Sequence, residues 1–549
     1  MVKTVAILFS QKRSRQIEPP TLYLNQQKVK FTTHTVFLGA ILDRHLSWKL
    51  HINNLIERCR QDLNLLRHIK GLKWGADQDT MLKIYRTVLR SKLDYACQAY
   101  DSAEQPLLKK LDTIQYKALR LCTGTLTNTS LRELQVFTGE PPLKFRRTEL
   151  LLKYAARIST LPEHNPSRQA LNKSKVAFRP KWVKQPPAFH RVHKLIQQNP
   201  NLNLQAETRL YQDPYPWRNA KPKINFQLIG RGSKKDNQWK LLTHIQELLN
   251  TQYKEYTHIY TDGSRNQKEN KTAAAVVVPS KHYKVKVRLP DGCSIFTAEL
   301  WAINHAINWT LTQSQISHLI ISDSLSALQA INSTKPTSRA NLVEDTLYSL
   351  RKSIDQGRNI EFLWVPSHIQ LQGNVLADQA SNEALDTNYR IDIRYCTHEI
   401  SSQITKFINN QWQKQWDELS SHTQLHSIQN KVDRHIKWKS LPNYRENHLI
   451  NRLRTGKTKL YSSIGKYLSK QQRNKPNCRY CKLPETLEHI FNECPFYNAQ
   501  RNIFRNQQNK IKAPHTYPCF FKQKHNKNIQ TTHRNIIDYL QQIKKSNDI

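Results

Sequence analysis

The middle of this chain predicts an α/β fold, a five-stranded mixed sheet with helices, and three observations carry that expectation. Between Thr257 and Asp386, short β-branched or small-apolar runs alternate with helical periodicity in the order β-β-β-α-β-α-β-α. Four acids, Asp262, Glu299, Asp323 and Asp378, each stand where an apolar run ends or a helix begins. The segment is also formally neutral. Tyr256 to Asp386 holds 12 Lys plus Arg and 12 Asp plus Glu, so the whole net charge of +43 lies outside it.

Each element has its own signal. Thr257-His258-Ile259-Tyr260-Thr261 reads as a first strand that delivers Asp262, within Thr261-Asp262-Gly263-Ser264. Ala273 to Val278 and Tyr283 to Leu289 read as the next two strands of a meander. Phe296 to Leu311 reads as a helix, because Ala298, Ala302 and Ala306 recur at i+4 with Ile303 and Ile307 beside them. The small alanines let it lie close on the sheet, with Glu299 in its first turns. Leu319-Ile320-Ile321-Ser322 is a fourth strand delivering Asp323, followed by a helix holding Leu325 and Leu328. Ile360 to Val365 is a fifth strand. It runs into Pro366-Ser367-His368 and then a helix carrying Asp378 at the end of Gly373-Asn374-Val375-Leu376-Ala377-Asp378.

Singly, these motifs have plain structural readings: Thr-Asp-Gly-Ser as a turn, Ser-Asp-Ser as a helix cap. Together, four converging carboxylates repel one another unless cations neutralise them. Oxygen ligands favour Mg²⁺ or Mn²⁺, and two such ions can cut a phosphodiester. In order and spacing, residues 253–388 resemble a type 1 ribonuclease H domain. The resemblance implies endonucleolytic cleavage of the RNA strand of RNA–DNA hybrids, leaving 5′-phosphate and 3′-hydroxyl ends. It implies that Asp262, Glu299, Asp323 and Asp378 are the metal-binding catalytic acids. It also implies that His368 is a mobile histidine serving product release or proton transfer. Val375 departs from the family pattern, which often has Glu there, but that Glu is not a metal ligand.

N-terminal to this segment, Val5 to Phe9, Lys28 to Phe31 and Thr35 to Leu42 read as short strands. Ile52, Leu55, Ile56, Cys59, Leu63 and Leu66 mark one helical face, continued by Leu82, Tyr85 and Leu89. Lys3 to Phe9, Phe37 to Asp43 and Leu46 to Ile52 resemble the last part of the reverse transcriptase palm of non-LTR retrotransposons. Leu111 to Gln115 and Gly139 to Leu143 resemble the thumb and connection of insect elements of that type. The resemblance implies palm end at 1–45 and thumb and connection helices at 46–150. The polymerase's Tyr-x-Asp-Asp motif is missing, since the chain has no Asp-Asp pair. The expectation is a truncated C-terminal piece that does not polymerise DNA unaided. Residues 151–252 are basic and rich in Pro, Asn and Gln, and read as a linker with little regular structure. Their Trp and Tyr residues are either base-stacking platforms or linker contacts.

C-terminal to it, residues 389–470 read as a helical tether, with Ile404, Phe407, Ile408, Trp412 and Trp416 on one face. Residues 471–500 hold Cys478-x2-Cys481-x7-His489-x4-Cys494, where two thiolates on a tight turn plus His and Cys on a short helix can close a tetrahedral Zn²⁺ site. The other reading is buried cysteines without metal; His515 and Cys519 are alternative ligands. The spacing resembles the Cys-Cys-His-Cys motif of non-LTR retrotransposon proteins. Arg473, Lys475, Arg479, Lys482 and Arg501 around it suit a grip on nucleic acid. Residues 501–549 form a basic tail with a helix near Ile536, Leu540 and Ile543.

Composition sets the outer bounds. A chain of 549 residues exceeds one core and predicts several domains. A charge of +43 points to nucleic acid as partner. No apolar stretch approaches the ~20 residues of a membrane helix, and the start has too short an apolar run for a signal peptide. Nine scattered cysteines predict a reducing, intracellular setting, nuclear or cytoplasmic. A polymerase-bearing chain is a possible partner. The rival function is a catalytically inactive, nucleic-acid-binding remnant of a reverse transcriptase.

Overall fold

The computed structural model describes residues 4–9, 19–70, 75–174, 186–200, 202, 204, 206–208, 221–229, 238–333, 339–367, 369–388, 390–419, 423–439, 441–460, 477–521 and 528–548. The chain divides into two units. One comprises residues 153–173 and 200–404, and the other 1–152, 174–199 and 405–549.

In the first unit, β1 (Lys223–Asn225), β2 (Thr257–Asn266), β3 (Lys271–Val278), β4 (Tyr283–Leu289), β5 (Ser317–Ser322) and β6 (Asn359–Trp364) form one sheet in the order β4-β3-β2-β5-β6-β1. β2, β3 and β4 are an antiparallel meander, while β2, β5, β6 and β1 run parallel. The helices packed on its faces are α1 (Gln238–Asn250), α2 (Ile295–Thr310), α3 (Leu325–Asn332), α4 (Ala340–Asp355) and α5 (Gln372–Ala384).

Both faces of the sheet are covered, as the unbroken apolar runs of its inner strands require, because successive side chains point to opposite faces. Ile259, Ala274, Val276, Ile320 and Phe362 pack with the buried residues of α2, α3 and α4. Their neighbours Tyr260, Ala275, Val277, Ile321 and Leu363 pack on the other side with Ile245 and Leu249 of α1 and Ala377 and Ala380 of α5.

Three expectations for this region are corrected. The sheet has six strands rather than five, because Glu361, Phe362 and Leu363 of β6 pair with Lys223, Ile224 and Asn225. A three-residue strand carries too little alternation to be seen in sequence; it exists through its long-range pairing. Residues 151–252 are not a structureless linker: Pro166–Lys173 and Ala188–Gln198 are helices, as is α1. The segment between β5 and β6 holds two helices instead of one, and Leu342, Val343, Leu347 and Leu350 of α4 are all core residues.

In the second unit, Lys49–Lys70, Gln78–Ile84, Gln105–Thr123 and Leu131–Thr138 form a helical core built on Ile52, Leu63, Leu82, Leu111 and Leu119. Trp48 and Ser47 sit where the Asp43 carboxylate accepts from their backbone N–H groups at 2.9 and 3.0 Å, fixing the entry to the first helix. Glu140, buried in Gly139-Glu140-Pro141-Pro142-Leu143, pairs with Arg86 at 2.6 Å and Arg90 at 2.9 Å. The expected strand from Thr35 to Leu42 is instead a hairpin of His34–Phe37 and Ala40–Asp43. Leu38 and Gly39 both have positive φ, the pattern of a tight two-residue hairpin turn. The strands near Val5 and Lys28 are two-residue pairs, Val5–Ala6 with Lys30–Phe31 and Tyr23–Leu24 with Gln27–Lys28.

The C-terminal part contributes Tyr444–Thr455, Asn498–Lys510 and Ile529–Gln542. These close a core rich in aromatic residues: Phe491, Phe504, Tyr517, Phe520 and Tyr539. No helix among the described residues is long and apolar enough to cross a membrane.

Candidate functional site

The parallel register of β2, β5 and β6 places Thr261, Ser322 and Trp364 side by side. Asp262, still within β2 where it pairs with Ala275, and Asp323, just past the end of β5, are therefore the next residues at one level on adjacent parallel strands. That edge is where open α/β sheets bind ligands. Trp364 donates its indole N–H to the Asp323 carbonyl at 3.1 Å, fixing the backbone there.

Glu299 comes from α2. Ser294 caps that helix by accepting from the Thr297 N–H at 3.2 Å. The first turns of α2 lie against β2 because position 263 has no side chain. A Cβ on Gly263 would fall 2.9 Å from the Glu299 nitrogen and 3.1 Å from Ala298 Cβ. Asp262, Glu299 and Asp323 each offer a carboxylate oxygen, and these atoms lie within 4.8 Å of one another.

Like charges and burial make this arrangement unfavourable when empty of cations. Burial raises the Asp262 carboxyl to about 6, and the negative charges of Asp323 and Asp378 add to the rise. Glu299 is raised well above the ordinary range, first by burial and then by Asp262 and Asp323. Its Oε2 is buried without a hydrogen-bond partner among the described residues. A buried carboxylate that converges with two others and keeps an oxygen without a hydrogen-bond partner among the described residues is what a hard divalent cation fits.

Asp378 stands apart from that tight cluster. It lies on α5 with its side chain exposed, and its Oδ1 accepts from Asn382 Nδ2 at 3.2 Å. A link exists through Ser381, whose hydroxyl bonds both Asp262 Oδ2 and the Asp378 carbonyl. Ser381 and Asn382 were not singled out in the sequence, although they follow Asp378 at the i+3 and i+4 positions that share its helix face. The start of α5 packs on β2 through Gly373, where a Cβ would fall 2.2 Å from the Tyr260 ring. His368 lies outside the described residues.

A second cluster is built of sulfur and nitrogen. Cys478, Cys481, His489 and Cys494 each bring one ligand atom within 4.8 Å of the others, without His515 or Cys519. Cys478 and Cys481 sit on a turn closed by the Lys482 N–H to the Cys478 carbonyl at 2.9 Å, with Lys482 at φ 65°. His489 opens a distorted helical turn, His489–Glu493, and Cys494 follows it rather than lying within a helix as expected. Cys478 Sγ is 3.8 Å from Cys494 Sγ, and Cys481 Sγ is 3.2 Å from His489 Nε2. Burial would raise the Cys478 thiol, but the amides of Cys481 and Tyr480 and the His489 ring bring it down to about 6. Burial, then neighbouring Cys478, pushes Cys494 up to about 11. A lowered Cys478 beside a raised Cys494 in a Cys₃His set suits a tetrahedral ion that would hold both as thiolates.

Comparison with known proteins places the same segment in a family. Residues 254–386 match the family model of RNase H. The chain is 27% identical over 143 residues to the RNA-directed DNA polymerase from mobile element jockey of Drosophila funebris, covering 26% of this chain and 16% of that protein. It is 28% identical over 124 residues to the probable RNA-directed DNA polymerase from transposon X-element of Drosophila melanogaster, covering 22% of this chain and 14% of that one. The matches thus span about a sixth or less of the relatives' length. Residues 254–386 are a ribonuclease H family domain, carried by a chain homologous to the RNA-directed DNA polymerases of non-LTR retrotransposons.

Proposed function

We propose that this chain hydrolyses the RNA strand of RNA–DNA hybrids endonucleolytically, with Asp262, Glu299, Asp323 and Asp378 holding two Mg²⁺ or Mn²⁺ ions. The observation that carries the reading is the convergence of three carboxylates around the unpartnered, buried Glu299 Oε2. Bound divalent ions would supply charge neutralisation and activation of water for phosphodiester cleavage. The chain's own groups do the rest. β2 and β5 fix Asp262 and Asp323 at one level, and α2 brings Glu299 to them. Ser381 orients Asp262 by donating to Oδ2, and Asn382 orients Asp378. Exposed Asp378 serves the solvent side of the site, and the family resemblance gives His368 a part in product release or proton transfer.

The positive surplus outside residues 256–386 holds phosphates without reading sequence, so binding weakens steeply with salt. Selection for hybrid rests on 2′-hydroxyl contacts and groove shape. Cys478, Cys481, His489 and Cys494 would hold a structural Zn²⁺. A polymerase-bearing chain is the macromolecular partner this reading allows.

The test is cleavage of an end-labelled RNA annealed to DNA, at low salt, with Mg²⁺ or with EDTA. Mg²⁺-dependent cutting of the hybrid that spares duplex RNA is the expected result. Tight binding without cutting would overturn it in favour of a nucleic-acid-binding remnant.

A further inference from the structure

Helix α2 is fastened at its start by residues that lie outside the strand ends carrying the acids, one of them beyond residue 386. The Ser294 backbone N–H and the Thr297 hydroxyl both donate to Glu399 Oε1, at 2.7 and 2.6 Å. Glu399 Oε2 accepts from the Cys396 N–H at 3.0 Å and lies 3.0 Å from the Arg339 guanidinium. Arg339 donates as well to Thr297 Oγ1 at 3.0 Å and to the Arg394 carbonyl at 2.6 Å, and pairs with Glu207 at 3.2 Å. The pair is buried, Arg339 to 4% and Glu399 to 2% exposure. Arg339 also holds φ at 50°, in the left-handed region that residues with a Cβ seldom occupy.

Stability alone is a weak reason for such a pair, because apolar side chains of similar volume often serve a core as well. What this pair does is directional. Its carboxylate saturates donors in the first turn of α2, and Glu299 stands two residues beyond Thr297. We infer that Arg339 and Glu399 are positioning residues that clamp the start of α2, so that Glu299 is held facing Asp262 and Asp323 and divalent cations bind there. The functional nuclease unit therefore extends past the family segment, to the start of the helix Thr397–Asp417. The inference rests on the nuclease reading for its consequence, but not for its structural content.

Three measurements on the full chain test it, using Thr297→Val, Glu399→Gln and a control, Leu347→Ala, in the α4 core. Mn²⁺ binding is followed by calorimetry, hybrid cleavage by kcat and KM, and amide hydrogen exchange over residues 294–299 by mass spectrometry. The clamp variants are expected to bind Mn²⁺ about tenfold more weakly and to lose about tenfold in kcat, the scale of lost support behind metal ligands. Their KM for hybrid stays unchanged, and exchange over 294–299 speeds up. Leu347→Ala lowers the melting temperature without moving Mn²⁺ affinity or kcat in the folded protein. Clamp variants with wild-type Mn²⁺ affinity and kcat overturn the inference, as do clamp variants that only track the control. If the wild-type chain neither binds Mn²⁺ nor cleaves, the nuclease reading falls instead. The clamp is then decided by exchange: faster in the variants upholds it, unchanged overturns it.

Discussion

The carboxylates at Asp262, Glu299 and Asp323 and the sulfur–nitrogen set at Cys478, Cys481, His489 and Cys494 face one electrostatic problem on two different frames. The acids stand on a six-stranded sheet and on helix α2 packed against it, and both faces of that sheet are packed with Ile, Val, Leu and Ala. That frame does not need the ion, so the strain of convergence shows up in the acids themselves, as raised carboxyls at Asp262 and Glu299. The thiols stand on a turn and a distorted helical turn, and Cys478 and Cys494 are themselves part of the apolar core with Phe491 and Tyr497. There the ligands are the frame. The difference teaches that removing metal should silence the first site and loosen the second.

The largest expected effect therefore falls on the cysteine cluster. Zinc binding to a structural site is linked to folding by on the order of 10 kcal/mol at neutral pH. Purified chain is expected to carry one equivalent of zinc by atomic emission. Stripping it with a strong chelator, or replacing Cys494 by Ser, should lower the melting temperature of the aromatic C-terminal core. The sheet, followed by exchange of β2 and β5 amides, should not respond. Zinc-free protein that melts unchanged would break the comparison on this side.

The acidic site should respond the other way, in rate and not in stability. Glu299→Gln and Asp323→Asn each remove one charge from the cluster and should reduce cleavage on the order of 10²–10³-fold, the scale of losing one electrostatic partner of a transition state. Melting temperature without metal should hold or rise, because a repulsive buried charge has gone. Normal cleavage by Asp323→Asn would remove the site assignment.

A pH profile sharpens the same contrast. The Asp262 carboxyl is raised to about 6 in the folded, metal-free chain, from 3.8. Between those values the native state holds a proton that the unfolded chain releases, so metal-free stability falls as pH rises through this window. The change is on the order of 3 kcal/mol. A divalent ion reverses the sign, since it binds deprotonated carboxylates; Mn²⁺ affinity should rise with pH through about 6 as Asp262 gives up its proton, and Glu299, raised well above the ordinary range, should carry the rise further. Calorimetric Mn²⁺ titrations across pH 4.5 to 7.5 read this, and an affinity flat with pH would contradict the burial argument.

The sequence reads well where one residue's signal is local. Asp262 and Asp323 end apolar runs, and Glu299 sits on a helix whose Ala298, Ala302 and Ala306 allow close packing, so the cluster was legible. Short β-branched and small-apolar runs mark β2 through β6 but not β1, whose three residues gain their state only by pairing with Glu361, Phe362 and Leu363. Helix α4 has a 3–4 repeat in Leu342, Val343, Thr346, Leu347 and Leu350, but that repeat lies outside the acidic motifs and becomes a core face only by packing on the sheet. The clamp was not legible: Glu399 and Arg339 are ordinary charges in sequence, and only the fold brings them to Thr297. The same holds for Asp378, placed by its motif among the acids, while its exposed side chain stands outside the tight three.

Gly373 tests how much the acidic site owes to its frame. A Cβ there would overlap the Tyr260 ring, two residues before Asp262 on β2. Gly373→Ala must push α5 away or turn the buried ring, and overpacking of this kind costs about 1–3 kcal/mol. Urea unfolding should show the loss, and cleavage should fall with it, since α5 carries Asp378 and Ser381. Stability lost with cleavage untouched would mean that α5 is dispensable to the site.

The smallest change is the most diagnostic. Ser381 donates to Asp262 Oδ2, and that bond works against burial and against the charges of Asp323 and Asp378, holding the carboxyl lower than it would otherwise lie. Ser381→Ala removes a hydrogen bond worth about 1 kcal/mol and leaves the helix intact, since Ala suits a helix interior better than Ser. The Asp262 step in the pH dependence of Mn²⁺ binding should move upward, away from about 6, and affinity at pH 7.5 should fall only a few-fold. A frame that merely scaffolds would show no pH shift at all. An upward shift with unchanged melting shows that α5 sets the protonation of β2's acid, and that the sheet alone does not complete the site.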